Sequence, residues 1–75
     1  MAEVVRDTIE FGTAIRTRRK ALGYTQAQVA ALCATGIRFI SDLENGKPTI
    51  ELGKALAVAQ ALGIDIVAKL RGEAS

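Results

Sequence analysis

Apolar residues recur at helical spacing over the first part of this 75-residue chain. The spacing predicts an amphipathic helix over residues 8–22. Asp7 precedes the segment and Glu10 follows three residues later, a combination typical of a capping box. Gly23 predicts the end of the helix, because glycine readily adopts the left-handed conformation that closes many helices. The residues expected to face the core are Phe11, Ala14, Ile15 and Leu22.

Two shorter helices are predicted next. Thr25 is a suitable N-cap for a helix over residues 26–33. After a tight connection of three residues, a third helix is predicted over residues 37–44, and the dipeptide Asn45-Gly46 ends it. The apolar residues expected to face inward from these two helices are Val29, Ala30, Cys33, Ile40 and Leu43.

A change of period marks the last third of the chain. A fourth helix is predicted over residues 50–62, with Thr49 as its N-cap and Gly63 at its end. Its apolar positions are Ile50, Leu52, Leu56, Val58, Ala59 and Leu62. Beyond this helix apolar and mostly polar residues alternate, which predicts a strand over residues 64–70. A last helix is the alternative.

A single strand leaves its backbone donors and acceptors without partners. Within this chain only the short Val4-Val5 segment offers strand-like residues. The same strand of a second copy is the economical partner, because a two-fold axis allows identical segments to pair. We therefore expect a homodimer whose interface is formed by Ile64, Ile66, Ala68 and Leu70.

The composition fits one folded domain over residues 1–75, with its core within residues 8–62. The net charge is +2 and the pI is about 9.0. Four basic residues lie within five positions of the first predicted helix, namely Arg16, Arg18, Arg19 and Lys20. Such a cluster is compatible with nucleic-acid binding. On charge alone, a solvated helix face is the simpler interpretation.

Several classes of function find little support in the residues. Histidine is absent and Cys33 is the single cysteine, so we expect no metal and no cofactor. Ser41 and Ser75 lack a histidine or paired carboxylates to activate them, so we expect no enzyme. No apolar run approaches the roughly 20 residues of a membrane span, and residues 1–7 lack the pattern of a signal peptide. Together with the unpaired cysteine, this favours a cytoplasmic protein.

Residues 24–47 meet the requirements of a helix-turn-helix, in which two short helices cross steeply around a short turn. A small residue is needed where the helices meet, and Ala30 supplies it. The residues with the spacing to wedge the pair together are Val29, Ile40 and Leu43. This segment therefore predicts a helix-turn-helix unit within the four-helix domain.

Specific residues within this unit match a known pattern. They are Thr25-Gln26, Val29-Ala30 and the run Ile40-Ser41-Asp42-Leu43-Glu44-Asn45-Gly46-Lys47. Through them the chain resembles the Cro/C1-type (Xre-type) helix-turn-helix repressors over about residues 12–62. The resemblance implies a mainly α, four-helix, lambda-repressor-like domain, and a structural ion pair between Arg19 and Glu44. The chain departs from the family at Ala34, where glycine is usual, and at Gly36, where serine or threonine is usual.

The resemblance implies that the third helix enters the major groove of DNA. Its base-contacting candidates are Ile37, Arg38, Ser41 and Asp42, and Arg38 is the best of them because a guanidinium can bind guanine O6 and N7 together. In the alternative interpretation, Asp42 makes no base contact and instead repels wrong sequences or orients Arg38. The phosphate-contacting candidates are Arg16, Gln26, Gly36, Asn45 and Lys47. Phe39 either packs in the core, which is the better interpretation, or touches a base.

The residues around the third helix and the end of the chain narrow the resemblance. The run Phe39 to Pro48, the segment Leu56 to Ile66 and the strand that follows resemble the HipB-type antitoxins. This likeness implies a homodimeric repressor that binds palindromic operator DNA, regulates its own operon and binds a HipA-like kinase toxin. Phage-type repressors, controller proteins of restriction–modification systems and a mainly toxin-binding module are the alternatives.

Overall fold

In a computed structural model, the described part of the chain is residues 4–72. It contains the four helices α1 (Thr8–Ala21), α2 (Gln26–Leu32), α3 (Ile37–Glu44) and α4 (Leu52–Ala61). The predicted four-helix fold is confirmed. The ends of the predicted domain, the first residues of the N-terminal segment and Ser75 lie outside the described residues. No described helix is long and apolar enough to span a membrane.

The first turn of α1 is capped, though not in the predicted way. Asp7 Oδ1 accepts a hydrogen bond from the main-chain N–H of Glu10 at 2.7 Å. The Glu10 carboxylate accepts from the N–H of Arg6, also at 2.7 Å, and not from that of Asp7. The predicted capping box is therefore wrong in its second half. At the other end, Gly23 takes a φ of +80° and α1 ends at Ala21, one residue earlier than predicted.

The second helix begins with a complete capping box. Thr25 Oγ1 accepts from the N–H of Gln28 at 3.1 Å, and Gln28 Oε1 accepts from the N–H of Thr25 at 2.8 Å. α2 ends at Leu32, and Cys33 is its C-cap rather than its last residue. Ala34 then takes a φ of +54°, the one positive φ of a non-glycine residue in residues 4–72. An alanine in this conformation costs about 1 kcal/mol.

The third helix has the bounds that the sequence predicts. Gly36 is its N-cap with extended backbone and makes no side-chain capping bond. Asn45 is the C-cap, and Gly46 follows with a φ of +78°. α3 packs against both α1 and α2. It is therefore held on two sides along its short length.

The start of α4 differs from the prediction. The N–H of Ile50 donates to the carbonyl of Lys47 at 3.2 Å, which closes a turn that contains Pro48 and Thr49. Proline favours such turns because its φ is already fixed near the required value. Thr49 is therefore used in the turn and is not the N-cap. Glu51 takes that role, and its carboxylate accepts from the N–H of Lys54 at 2.5 Å.

One hydrophobic core joins the four helices. Every helix contributes at least one fully buried side chain, and the buried apolar residues are Ile15, Val29, Ala30, Ile40, Leu43, Ala55, Val58, Ala59 and Leu62. Burial of an aliphatic side chain of this size contributes about 1.5–3 kcal/mol. The core lies directly behind α3, so it fixes which face of that helix is left to solvent.

Residues 64–70 form neither a helix nor a strand in the single chain. The N–H of Ile64 donates to the carbonyl of Ala59 at 2.9 Å, which continues the end of α4, and the Ile64 side chain packs against the core. The side chains of residues 65–70 are exposed. A last helix, the alternative to the strand, is not formed. The strand stays a prediction, because a strand requires hydrogen bonds to a partner strand.

Candidate nucleic-acid interface

The third helix has one buried face and one open face. Ile40, Leu43 and Glu44 are buried. Because successive residues are 100° apart around a helix, Arg38, Asp42 and Asn45 project from the opposite side. Ile37 is 53% exposed near the start of the helix. Of the predicted base-contacting residues, Ile37 and Arg38 are therefore exposed, whereas Ser41 and Asp42 are half-buried.

An ion pair anchors α3 to α1. The Nε of Arg19 donates to Oε2 of Glu44 at 2.6 Å, and Nη2 donates to Oε1 at 3.0 Å. The third guanidinium nitrogen, Nη1, donates to the carbonyl of Tyr24 at 2.9 Å. This is the two-point geometry in which arginine binds a carboxylate most strongly. Both side chains are largely buried, at 10% and 2% exposure.

A third side chain completes this anchor. Gln26, the first residue of α2, donates from Nε2 to Oε1 of Glu44 at 3.1 Å. A single carboxylate therefore connects α1, α2 and α3. The sequence predicts a phosphate contact for Gln26 and does not indicate this bond. The partners are 18 residues apart in different helices, and local spacing carries no signal for such a contact.

The environment of Glu44 favours its ionised form. Burial alone would raise the pKa of Glu44, because it opposes ionisation. The hydrogen bonds from Arg19 and Gln26, together with the positive charge of Arg19, outweigh this effect and hold the pKa of Glu44 below its ordinary value. The hydrogen bond to Glu44 raises the pKa of Arg19, although burial acts in the opposite direction. The pair is therefore charged at neutral pH, and its net cost of burial is offset by several hydrogen bonds.

Close backbone contact brings α1 against the end of α3. Gly12 is buried inside α1, and a Cβ there would lie 2.6 Å from the carbonyl oxygen of Glu44. The Oγ1 of Thr8 donates to the carbonyl of Gly46 at 2.8 Å. Neither contact was predicted from the sequence. A glycine within the helical pattern of α1 was the available signal, since such a glycine often has a packing reason.

The end of α3 carries a second ion pair. The Nζ of Lys47 lies 3.5 Å from Oδ2 of Asp42, with the two side chains 51% and 32% exposed. The amide of Asn45 donates to Ser41 Oγ at 3.5 Å, which is a long and weak hydrogen bond. Four of the predicted contact residues are therefore neighbours on one surface.

The basic cluster of α1 has two kinds of member. The Nε of Arg18 donates to the carbonyl of Leu62 at 2.8 Å and ties α1 to the end of α4. Arg19 belongs to the buried ion pair. Arg16 and Lys20 are exposed. Two members of the cluster thus make bonds within the protein, of which Arg19 is buried and Arg18 is exposed, and Arg16 remains at the surface as the phosphate-contacting candidate.

Two residues of uncertain role lie against the core. Phe39 and Cys33 are half-buried and pack against the buried cluster, as the core interpretation of each predicts. The Nζ of Lys54 lies 5.8 Å from the centre of the Phe39 ring, within the range of a cation–π contact. Burial raises the pKa of the Cys33 thiol. In residues 4–72, no group of three or more histidine, cysteine or acidic side chains is placed to hold a metal ion.

The fold and this surface define a helix-turn-helix unit, with α3 presented by α1 and α2. A model of the helix-turn-helix family (HTH_3) matches residues 15–68. The chain is also similar to a curated relative described as an uncharacterized HTH-type transcriptional regulator, y4mF, of Sinorhizobium fredii (strain NBRC 101917 / NGR234). The two are 43% identical over 70 residues, which cover 91% of this chain and 92% of the relative. The chain belongs to the helix-turn-helix family of DNA-binding transcriptional regulators.

Solved structures include chains of similar fold. A HipB–O4 20mer complex matches with a TM-score of 0.84 and 18% identity, covering 93% of this chain and 99% of the other. A HipA–HipB–O2–O3 complex contains a chain that matches with a TM-score of 0.85, 18% identity and the same coverage. At this identity the likeness establishes the fold. The resemblance of the sequence to the helix-turn-helix regulators is confirmed.

Proposed function

We propose that this chain is a sequence-specific transcriptional repressor that binds palindromic operator DNA as a homodimer. The observation that carries the proposal is the presentation of α3. Its inner face is fixed by the core and by the Arg19–Glu44 pair, while its outer face is exposed. A rigid short helix with one open polar face has the dimensions to enter the major groove.

Base contacts are assigned to the outer face of α3. The assigned residues are Ile37, Arg38, Ser41 and Asp42. Among residues 4–72 the ion pairs are Arg19–Glu44 and Lys47–Asp42, so Arg38 has no competing carboxylate and is available for guanine. The apolar side chain of Ile37 is suited to a thymine methyl group.

Phosphate contacts are assigned to the residues around α3, which position the domain without reading sequence. They are Arg16, Gln26, Gly36, Asn45 and Lys47. Because the Gln26 side chain is bonded to Glu44, we assign its contact to the main-chain N–H at the start of α2. The contact of Gly36 is assigned in the same way. Gly36 makes no side-chain capping bond, so the main-chain N–H groups in the first turn of α3 are available to a phosphate.

The dimer is assigned to residues 64–70. Ile66 and Leu70 are 55% and 68% exposed in the single chain. A groove lined by Ile66 is also lined by Leu56 and Gln60 of α4. A second copy of the segment would cover these apolar side chains and would pair the main-chain groups. The two copies of α3 would then read half-sites about 34 Å apart.

We also propose a partner for the regulator. The solved complexes of similar fold include HipB bound with HipA, and the C-terminal segment resembles that of HipB-type antitoxins. These two observations support an autoregulating antitoxin whose partner is a HipA-like kinase toxin. The gene that follows the operator tests this, because an antitoxin operon encodes its toxin beside it. A downstream gene of another kind would favour a phage-type or restriction–modification regulator.

The test is a selection of bound genomic fragments at two salt concentrations, with wild type, Arg38→Ala and Arg71→Ala in parallel. We expect wild type and Arg71→Ala to enrich one short palindrome, with affinity that falls as salt rises. Arg71 is exposed and outside α3, so its loss controls for the change of charge. Arg38→Ala should lose preference at one position of each half-site. Unchanged selection by Arg38→Ala would contradict the assignment of α3.

A further inference from the structure

The ion pair at the end of α3 joins a cation, which attracts DNA phosphates, to a carboxylate, which repels them. Asp42 and Lys47 lie 3.5 Å apart, and the main-chain N–H of Lys47 also donates to the Asp42 carbonyl at 3.1 Å. The backbone bond fixes the separation of the two residues, so the lysine side chain can return to Asp42 after it has turned away. In the free protein each charge is balanced by the other.

This balance must change when DNA approaches. A lysine that remains on Asp42 contributes little attraction to a phosphate, because the pair is neutral. A lysine that turns to a phosphate leaves the carboxylate of Asp42 facing the groove without a cation. A carboxylate only accepts hydrogen bonds, and an unpaired charge at a dehydrated interface is costly.

The hydrogen-bonding groups on the edges of the bases determine whether the unpaired charge of Asp42 is compensated. In the major groove the hydrogen-bond donors are the exocyclic amines, N4 of cytosine and N6 of adenine. Guanine O6 and N7, adenine N7 and thymine O4 are acceptors, and they repel a carboxylate. The loss of the ion pair with Lys47 is therefore compensated only where a base amine lies opposite Asp42 and donates a hydrogen bond to its carboxylate.

We propose that Asp42 makes the phosphate contact of Lys47 conditional on a base amine at one position of each half-site. Asp42 is then a specificity-determining residue that acts mainly by weakening binding to wrong sequences. This inference rests on the proposed function, because it requires α3 in the major groove. It goes further by giving the ion pair a role that neither residue has alone.

The experiment measures affinity for the selected palindrome and for random duplex DNA of equal length, at several salt concentrations. The variants are Asp42→Asn, Lys47→Gln and the double variant. In Asp42→Asn the lysine is released everywhere, so affinity for random DNA should rise about 3- to 10-fold at low salt. The salt dependence on random DNA should steepen by about one released ion. Preference at one position should be lost from the selected sequence.

A matched control separates this effect from net charge. Glu10→Gln makes the same change of charge on an exposed residue of α1, and the glutamine can still accept from Arg6. Its affinity for random DNA should change less than 2-fold. The gain from Asp42→Asn should also vanish in the double variant, because the lysine that supplies it is gone. Thermal unfolding by circular dichroism verifies that each variant is folded.

Two results would overturn the inference while leaving the proposed function in place. One is an Asp42→Asn variant that selects the wild-type palindrome with unchanged preference and gains no more affinity for random DNA than Glu10→Gln. The other is a gain that persists without Lys47, since this would show general charge repulsion. Failure of the wild-type chain to select any sequence would overturn the proposed function, and this inference with it.

Discussion

Glu44 lies at the centre of the interface between three helices, with its Oε2 2.6 Å from Nε of Arg19. The geometry makes the pair a structural element that faces away from the proposed DNA-binding side of α3. It also explains why Arg19, although a member of a basic cluster, is not available to phosphates. The Glu44 carboxylate accepts hydrogen bonds from α1 and α2, and these bonds hold the end of α3 in place.

Removal of the charge at position 44 should weaken the fold. Glu44→Gln leaves the buried guanidinium of Arg19 without its counter-charge, and such losses typically cost about 3 kcal/mol. Denaturation by urea, followed by circular dichroism, measures the free energy of unfolding. Glu10→Gln, an exposed control, should leave it nearly unchanged. Equal stability of the two variants would contradict the role assigned to the pair.

Acid should weaken the fold through the same residue. The pKa of Glu44 in the folded chain lies below its ordinary value of 4.5. Its contribution is therefore fully present above pH 4.5 and is lost as the pH falls from there through the folded-state pKa. The stability gap between wild type and Glu44→Gln should narrow over this range. A gap that stays constant from pH 7 to pH 3 would contradict the lowered pKa.

The close approach at Gly12 predicts a strong effect of one methyl group. In Gly12→Ala the new Cβ meets main-chain atoms of Leu43 and Glu44, which cannot rotate away. Displacing α1 from α3 should cost at least about 1–3 kcal/mol of stability. In the control Gly53→Ala, the added methyl meets only the flexible carboxylate of Glu51 at 3.2 Å. That change should be neutral or stabilising, because alanine favours helix.

The turn before α3 offers a stabilising change. Ala34 holds a φ of +54°, which alanine adopts at a cost and glycine adopts freely. Ala34→Gly should raise stability by up to about 0.5 kcal/mol, because the added freedom of the unfolded chain offsets part of the roughly 1 kcal/mol that the alanine costs. In a domain of this size the melting temperature should rise by a few degrees. A lower melting temperature would show that the turn depends on the methyl group.

The proposed dimer can be tested by mass. Deletion of residues 64–75 should convert a dimer into a monomer in analytical ultracentrifugation. Ile66→Asp should do the same within the full chain, since a charge would be buried at the interface. Lys69→Asp, on the alternate side of the predicted strand, should remain dimeric. A dimer that survives both the deletion and Ile66→Asp would contradict an interface at this segment.

Local signals explain what the sequence predicted well. The bounds of α1, α2 and α3 are correct within one residue, because caps such as Thr25 and breakers such as Gly23 act on their own neighbours. The predicted start of α4 was wrong because Thr49, the predicted N-cap, lies in the turn that contains Pro48, and Glu51 caps the helix two residues later.

Long-range contacts explain what the sequence did not predict. The bond from Gln26 to Glu44 and the approach of Gly12 to α3 depend on how helices are packed, and no spacing along the chain encodes them. The Arg19–Glu44 pair was expected only through the resemblance to a family. The predicted strand over residues 64–70 is a different case, because its hydrogen bonds would depend on a partner outside the single chain.

The bond between Thr8 and the Gly46 carbonyl has a practical consequence for work on this protein. It places the start of α1 beside the turn that follows α3, so an affinity tag or fluorescent protein joined directly before Thr8 would be attached close to Asn45 and Lys47. Such a fusion would occupy the space that we assign to the DNA backbone. Purification with a cleavable tag, removed before any DNA is added, avoids mistaking that obstruction for weak binding.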